Sequence, residues 1–343
     1  MSKFVTNAWY LGAWSSEIGE ENLLSRRILD LPIVFFRKRD GSPAALIDRC
    51  SHKLAPLSLG KKIGDEVQCG YHGLQFDCTG HCTKVPSQNQ IPPTANIRAF
   101  PVIERYGAIW IWMGDAAFAD ETKLIRLEHY GEEGWGIVTG QYIRFDCNYL
   151  NITDNLVDPA HTTYVHAATI GSPEGSEVPV KVEQTDDYVL AYRWIKNVPP
   201  VPLARKMGNF SENTDRFQYY YLYLPSISCV DFGTMEAGLE PTEENKNTGL
   251  RSFSYNFLTP ETSDRTHYFW LHIRNYKTGD AEADKDVERL MTATFLEDAD
   301  ILAAVQLQQA ETGVREHTKL AIDNAPARVR RLTERMIQAE API

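Results

Sequence analysis

Cys50-Ser51-His52 and, after sixteen intervening residues, Cys69-Gly70-Tyr71-His72 place two thiols and two imidazoles in two short segments. Four such groups make a complete ligand set for a metal centre. Zinc accepts two Cys and two His, but its fingers usually carry Cys-x-x-Cys on one element and the His pair on another. Here each segment supplies one of each. That division suits a [2Fe–2S] cluster with two Cys on one iron and two His on the other, both segments reaching the same cluster. Pro56, Gly60, Gly70 and Gly73 flank the two pairs and allow tight loops. Zinc is the alternative that the residue types leave open. Cys78 and Cys82, with His81 between them, read as part of a hairpin, and Cys147 and Cys229 as small buried apolar residues.

A second constellation gathers Asp154, Asn155, Asp158, His161 and His166. Asn155, Asp158 and His161 are spaced by three and would share a helical face. His161 and His166 are five apart, about 140° around an ideal helix, so they meet at one ion only if the helix ends or distorts. Pro159 makes that irregularity expected. Two His and one carboxylate, with open positions for O2, are the donor set of non-haem Fe(II) oxygenases. Periodicity nominates the carboxylate. Within residues 283–310, Val287, Leu290, Met291, Thr294, Phe295, Ile301, Leu302 and Val305 form an apolar stripe with Asp298 in its middle. Glu297 and Asp300 fall towards the polar side. A carboxylate on a buried stripe is costly unless metal-bound or paired, so Asp298 is the candidate third ligand, with a buried Arg partner as the alternative.

The elements that must position these groups follow from local pattern. Short apolar runs at 33–36 and 44–47 flank a charged turn with Asp40-Gly41, and further runs at 67–69, 74–77 and 109–113 suggest a small sandwich or barrel. Residues 86–93, with Pro86, Pro92 and Pro93, read as a loop. Strand-like runs return at 188–194, 217–224, 252–258 and 267–273. The 343 residues, 43% hydrophobic and 24% charged, fit an ordinary globular chain of about two domains. We expect an α+β chain: an all-β domain over 1–120, then a catalytic domain over 121–343 with an antiparallel sheet and flanking helices. The net charge of −11 argues against nucleic acid or an anionic membrane as partner. Six cysteines are too few for a disulfide scaffold, and the start lacks an apolar signal region, so the cytoplasm is the expected compartment.

Together the two constellations resemble the oxygenase components of Rieske non-haem iron oxygenases. Asn7-Ala8-Trp9-Tyr10, Trp110-Ile111-Trp112-Met113-Gly114-Asp115, Leu258-Thr259-Pro260-Glu261 and Phe295-Leu296-Glu297-Asp298 look like the subgroup of vanillate O-demethylase, dicamba O-demethylase and toluenesulfonate methyl-monooxygenase. The resemblance implies a Rieske domain, a helix-grip-like catalytic domain, and a homotrimer in which one subunit's cluster serves its neighbour's iron. Respiratory Rieske proteins carry an extra Cys in each loop. Ala55 and Tyr71 stand at those positions here, which implies the lower-potential oxygenase type. By the same resemblance Asp158 bridges His72 of one subunit to His161 of the next, with Asn155 beside it.

The implied reaction is monooxygenation of a methyl or methoxy carbon of a small aromatic acid. Electrons would come from NAD(P)H through a separate flavin/ferredoxin-type reductase, since the chain carries no Gly-rich dinucleotide fingerprint. Asp231, Asn256 and Arg289 match substrate-contacting positions of the dicamba enzyme but differ from its residues, which argues against a dicamba-like substrate. Tyr219-Tyr220-Tyr221 and Tyr223 read as strand packing. Two other activities stand beside this reading. A ring-dihydroxylating dioxygenase would yield a cis-diol, and a Rieske electron carrier would need only the first third of the chain.

Overall fold

The computed structural model describes residues 3–167, 170–171, 173–208, 210–313 and 318–340. The chain forms two compact units, and the first runs to Ile125. It also takes in Thr259–Ser263 and Glu340. Thr259 Oγ1 donates to the Leu11 carbonyl at 2.8 Å, and Glu340 accepts the Thr6 and Asn7 amides.

Three antiparallel sheets build this unit. Trp9–Trp14, Ala108–Trp112 and Val102–Arg105 form one. Leu24–Ile28, Leu31–Arg37, Pro43–Ile47 and Ala99–Phe100 form another, in that order. Ile33 to Phe36 are all buried, the pattern of a strand covered on both faces. Gly41, at φ +83°, turns the chain into the next strand. The third sheet, Lys61–Ile63, Glu66–Gln68, Gln75–Asp77 and Cys82–Lys84, carries the cluster loops: one precedes it and the other joins its two middle strands. Phe36, Leu46, Leu57, Val67 and Phe76 pack in one core with Cys50, Cys69 and Cys82. The expected hairpin at Cys78 and Cys82 is present, and Cys82 is a core residue.

The second unit is one eight-stranded antiparallel sheet with helices. Its order is Gly136–Thr139, Arg265–Arg274, Leu250–Thr262, Ile227–Glu236, Thr214–Tyr223, Tyr188–Val198 and Lys181–Gln184, with Ile143–Phe145 also pairing Arg265–Arg274. The helices are α1 (Tyr149–Leu156), α2 (Thr162–Val165), α3 (Pro202–Gly208), α4 (Glu243–Lys246), α5 (Ala281–Thr312) and α6 (Asn324–Ala339). Asp280 caps α5 by accepting the Glu282 and Ala283 amides, and Gly313 ends it at φ +66°. The α5 stripe is buried from Ala283 through Asp298 to Leu302, but Ile301 and Val305 are exposed. The expected burial therefore holds over the first part of that stripe and is lost at those two residues. Among the described residues no helix is long and apolar enough to cross a membrane.

Candidate active site and metal centres

The cluster loops repeat one backbone turn. In each, the Cys amide donates to the carbonyl five residues on, Cys50 to Ala55 at 2.9 Å and Cys69 to Leu74 at 2.8 Å. In each, the Cys carbonyl accepts the amide four residues on, from Leu54 at 3.0 Å and Gly73 at 3.1 Å. Both fourth positions have positive φ, +59° at Leu54 and +76° at Gly73. Close packing demands small residues around them: a Cβ on Gly60 would stand 1.9 Å from the Gln68 carbonyl oxygen.

The result is polarised. Cys50 and Cys69 are buried, while His52 and His72 are exposed with ring centroids 4.7 Å apart. Burial pushes the Cys50 thiol up, and the His52 and Lys53 amides pull the other way by facing the sulfur. The Tyr71 amide points at Cys69 Sγ from 3.5 Å. Two buried thiols in reach of backbone donors, with two imidazoles outside, fit a cluster whose Cys-ligated iron is inside and whose His-ligated iron is at the edge.

The second centre forms where α1 stops. Asn148 Oδ1 caps that helix on the Leu150 amide, and the helix ends at Leu156, before Pro159. Helix resumes only with α2 at Thr162, so Asn155, Asp158 and His161 do not share a helical face as their spacing suggests. The break brings His161 and His166 together. Their ligand atoms and that of Asp298 all lie within 4.8 Å of one another. Nε2 of His161 stands 3.8 Å, and Nε2 of His166 3.3 Å, from Asp298 Oδ1.

The opposite ring nitrogens are occupied. His161 Nδ1 contacts the Asp158 backbone carbonyl at 2.5 Å, and His166 Nδ1 contacts Glu297 Oε2 at 2.9 Å. Asn155 Nδ2 donates to Asp298 Oδ1 at 3.0 Å. Burial lowers the His161 pKa, which favours the neutral form that binds metal. A vertex of three donors, each steered by a further contact, fits a two-His-one-carboxylate iron. Glu297 is not on the solvent side as the stripe suggests, because it turns back onto His166. The Asp158 carboxylate accepts the Ala160 amide at 2.8 Å, so its peptide carbonyl and not its side chain orients His161.

A cavity of about 710 Å³ opens beside this vertex, walled by the sheet, α3 and α5. Asn256 lies on it, and its Oδ1 accepts the Tyr268 hydroxyl at 2.9 Å. Asp231 does not. Val230 and Phe232 face the cavity, and Asp231 between them turns to the other face, where Arg251 and Lys246 bind its carboxylate. Arg289 stands at the rim, 77% exposed in its side chain and paired with Asp286. The tyrosines divide likewise: Tyr220 lines the cavity, while Tyr221 stacks with Tyr223 and Tyr219 with Tyr192. Arg216, Gln218 and Ser254 also line it, and only the fold reveals them. A second cavity of about 620 Å³ touches His161 and Asp158 from the side of α6.

Known proteins match both units. The Rieske [2Fe–2S] domain matches residues 8–101, and the vanillate O-demethylase oxygenase C-terminal domain matches residues 145–339. The iron–sulfur subunit of the toluene-4-sulfonate monooxygenase system of Comamonas testosteroni is 31% identical over 98% of each chain. The oxygenase component of chloroacetanilide N-alkylformylase from Rhizorhabdus wittichii is 32% identical over 98% of this chain and 97% of that one. The crystal structure of dicamba monooxygenase bound to 3,6-dichlorosalicylic acid superposes with a TM-score of 0.91 at 33% identity, covering 99% of both chains.

Proposed function

The chain belongs to the Rieske non-haem iron aromatic oxygenases, as an oxygenase component, and from that premise we propose its reaction. It monooxygenates a methyl or methoxy carbon of a small aromatic acid, using O2 and electrons that a separate reductase draws from NAD(P)H. A methoxy carbon so hydroxylated leaves as formaldehyde and gives a phenol. The observation that carries this reading is the His161–His166–Asp298 vertex opening onto a ring-sized, largely apolar cavity.

His161, His166 and Asp298 would hold an iron that supplies O2 activation, and Cys50, His52, Cys69 and His72 would hold a cluster that supplies electrons singly. The protein's own part is positional. Asp158 and Glu297 fix the rings so that both Nε2 atoms aim at one point, and Asn155 holds the Asp298 carboxylate. Phe295, Met291 and Leu156 give the cavity an apolar wall that keeps water from the reacting carbon.

The chain works as a homotrimer in which the cluster of one copy serves the iron of the next. Two exposed surfaces support this. Leu54, Leu59 and Tyr71, within or close in sequence to the cluster loops, are 68%, 79% and 66% exposed, and Tyr71 packs on His72. Exposed Val305 and Ile322 line the second cavity, next to Asp158. The Asp158 side chain, not needed to hold His161, is then available to the neighbour's His72. None of the six cysteines is joined in a disulfide and two of them serve as cluster ligands, which suits a reducing cytoplasm. The test is turnover with a matched reductase over methoxy- and methyl-substituted aromatic acids, scored for product and formaldehyde. Phenol or benzylic alcohol with one O2 per product is expected. A cis-diol would replace this reading with ring dihydroxylation.

A further inference from the structure

A buried guanidinium lines the cavity wall. Arg216 and Arg193 are both buried, on the adjacent strands Thr214–Tyr223 and Tyr188–Val198. Arg193 donates to Gln218 Oε1 at 2.6 Å, the Gly175 carbonyl at 2.6 Å and Thr162 Oγ1 at 3.3 Å, and its charge also acts on the Asp158 carboxylate. Arg216 lines the cavity and meets Glu174 at 3.5 Å, a carboxylate whose side chain is 39% exposed. Burial and the charge of Arg193 both press on the Arg216 guanidinium, and Glu174 opposes them. A buried guanidinium on the cavity wall, whose carboxylate partner Glu174 is itself part-exposed, is a group that an anion entering the cavity can engage.

Geometry points the same way. Arg216, Gln218 and Tyr220 alternate onto the cavity face of one strand. Gln218 gives its oxygen to Arg193, so its NH2 group is the part left to serve the cavity. Tyr220 sits at the iron end, hydrogen-bonded with Thr162 next to His161. Arg216 lies four residues along the strand, roughly 13 Å from Tyr220 between Cα atoms. An anion at Arg216 would therefore bind away from the iron ligands and leave the far end of an aromatic ring near the metal. Arg289 has no comparable place, being exposed at the rim.

We propose that Arg216, with the Gln218 amide beside it, is the anchor for the acid group of the substrate. The anchor sets a preference for aromatic carboxylates and sulfonates over neutral isosteres. This rests on the reaction proposed above and deepens it. Glu174 is the internal competitor for the same guanidinium, which separates an anchor from a merely structural ion pair.

The experiment is calorimetric binding to the holoenzyme, checked for cluster spectrum and iron content, with 4-methoxybenzoate, 4-methylbenzenesulfonate and neutral 4-methoxybenzamide. Arg216→Met should weaken both anions about tenfold or more and leave the amide within about twofold. Glu174→Gln should tighten both anions by about twofold to fivefold. Equal losses for anions and amide, unchanged anion binding in Arg216→Met, or Glu174→Gln behaving like Arg216→Met would each overturn the anchor. A wild type that binds neither anion would overturn it too. Turnover of the same ligands separates the two readings. Arg216-dependent anion binding without product keeps the anchor and sinks the proposed reaction, whereas undiminished demethylation of acids by Arg216→Met does the reverse.

Discussion

At the cluster loops the thiols of Cys50 and Cys69 face the core while the imidazoles of His52 and His72 face solvent. At the iron site His166 and Asp298 are buried, and a further protein group holds the outer nitrogen of each histidine. The first arrangement leaves an edge through which electrons can pass to another molecule. The second encloses a vertex whose remaining positions face a cavity. Histidine thus serves opposite needs at the two sites, and the difference lies in what surrounds each imidazole. Two short loops with a shared turn suffice for the cluster. The iron site needs a helix break, a long helix and three orienting contacts.

Removing a ligand tests that separation most severely. Asp298→Ala should abolish turnover and drop iron from about three to about two per chain, with the cluster spectrum unchanged. Loss of the cluster signal in that variant would show the centres to be structurally coupled. Asp158→Asn comes next. Its peptide carbonyl still orients His161, so both metals should be retained while turnover falls to about 1% of wild type or less. Normal product formation would end the bridging role of its carboxylate. Glu297→Ala is milder. With His166 Nδ1 no longer held, iron affinity should fall about 10- to 100-fold, measured by chelator competition, and the cluster should be untouched.

Legibility follows the same divide. The cluster ligands could be read from spacing because they sit on two local loops. Asp298 could be read from helical period because a buried carboxylate on an apolar stripe needs a reason. Glu297 could not, since its direction depends on where His166 lands after the helix break. Asp231 shows the limit more sharply. Along a strand one residue separates the cavity face from the opposite one, so an alignment uncertain by a single position exchanges Phe232 for a salt-bridged Asp. Arg216 carries no local signal at all. Its meaning comes from Arg193 on the adjacent strand and Glu174 on a separate turn, a relation that only sheet register creates.

Another buried histidine, outside the metal site, sharpens the comparison at the smallest scale. His272 is 2% exposed, on the strand Arg265–Arg274, with its ring edge-on to cavity-lining Phe232 at 5.9 Å. Unlike His161 and His166, neither of its ring nitrogens has a hydrogen-bond partner among the described residues. Burial, helped by the charge of Arg274, lowers its pKa to about 3. The unfolded chain would bind this proton near pH 6.5, whereas the folded chain refuses it until about pH 3. Stability therefore falls with pH across that window, by about 1.4 kcal/mol per unit at most from this residue. His272→Phe keeps the ring and deletes both unpaired nitrogens. Thermal unfolding of the holoenzyme at pH 7 should show a gain of about 1 kcal/mol, and the acid slope between pH 6 and pH 4 should flatten. A variant that loses stability at pH 7, or keeps the full acid slope, would mean that His272 has a role its surroundings do not display. Iron content and turnover should be unchanged, because burial without a bonded partner is what distinguishes this imidazole from the two that hold the metal.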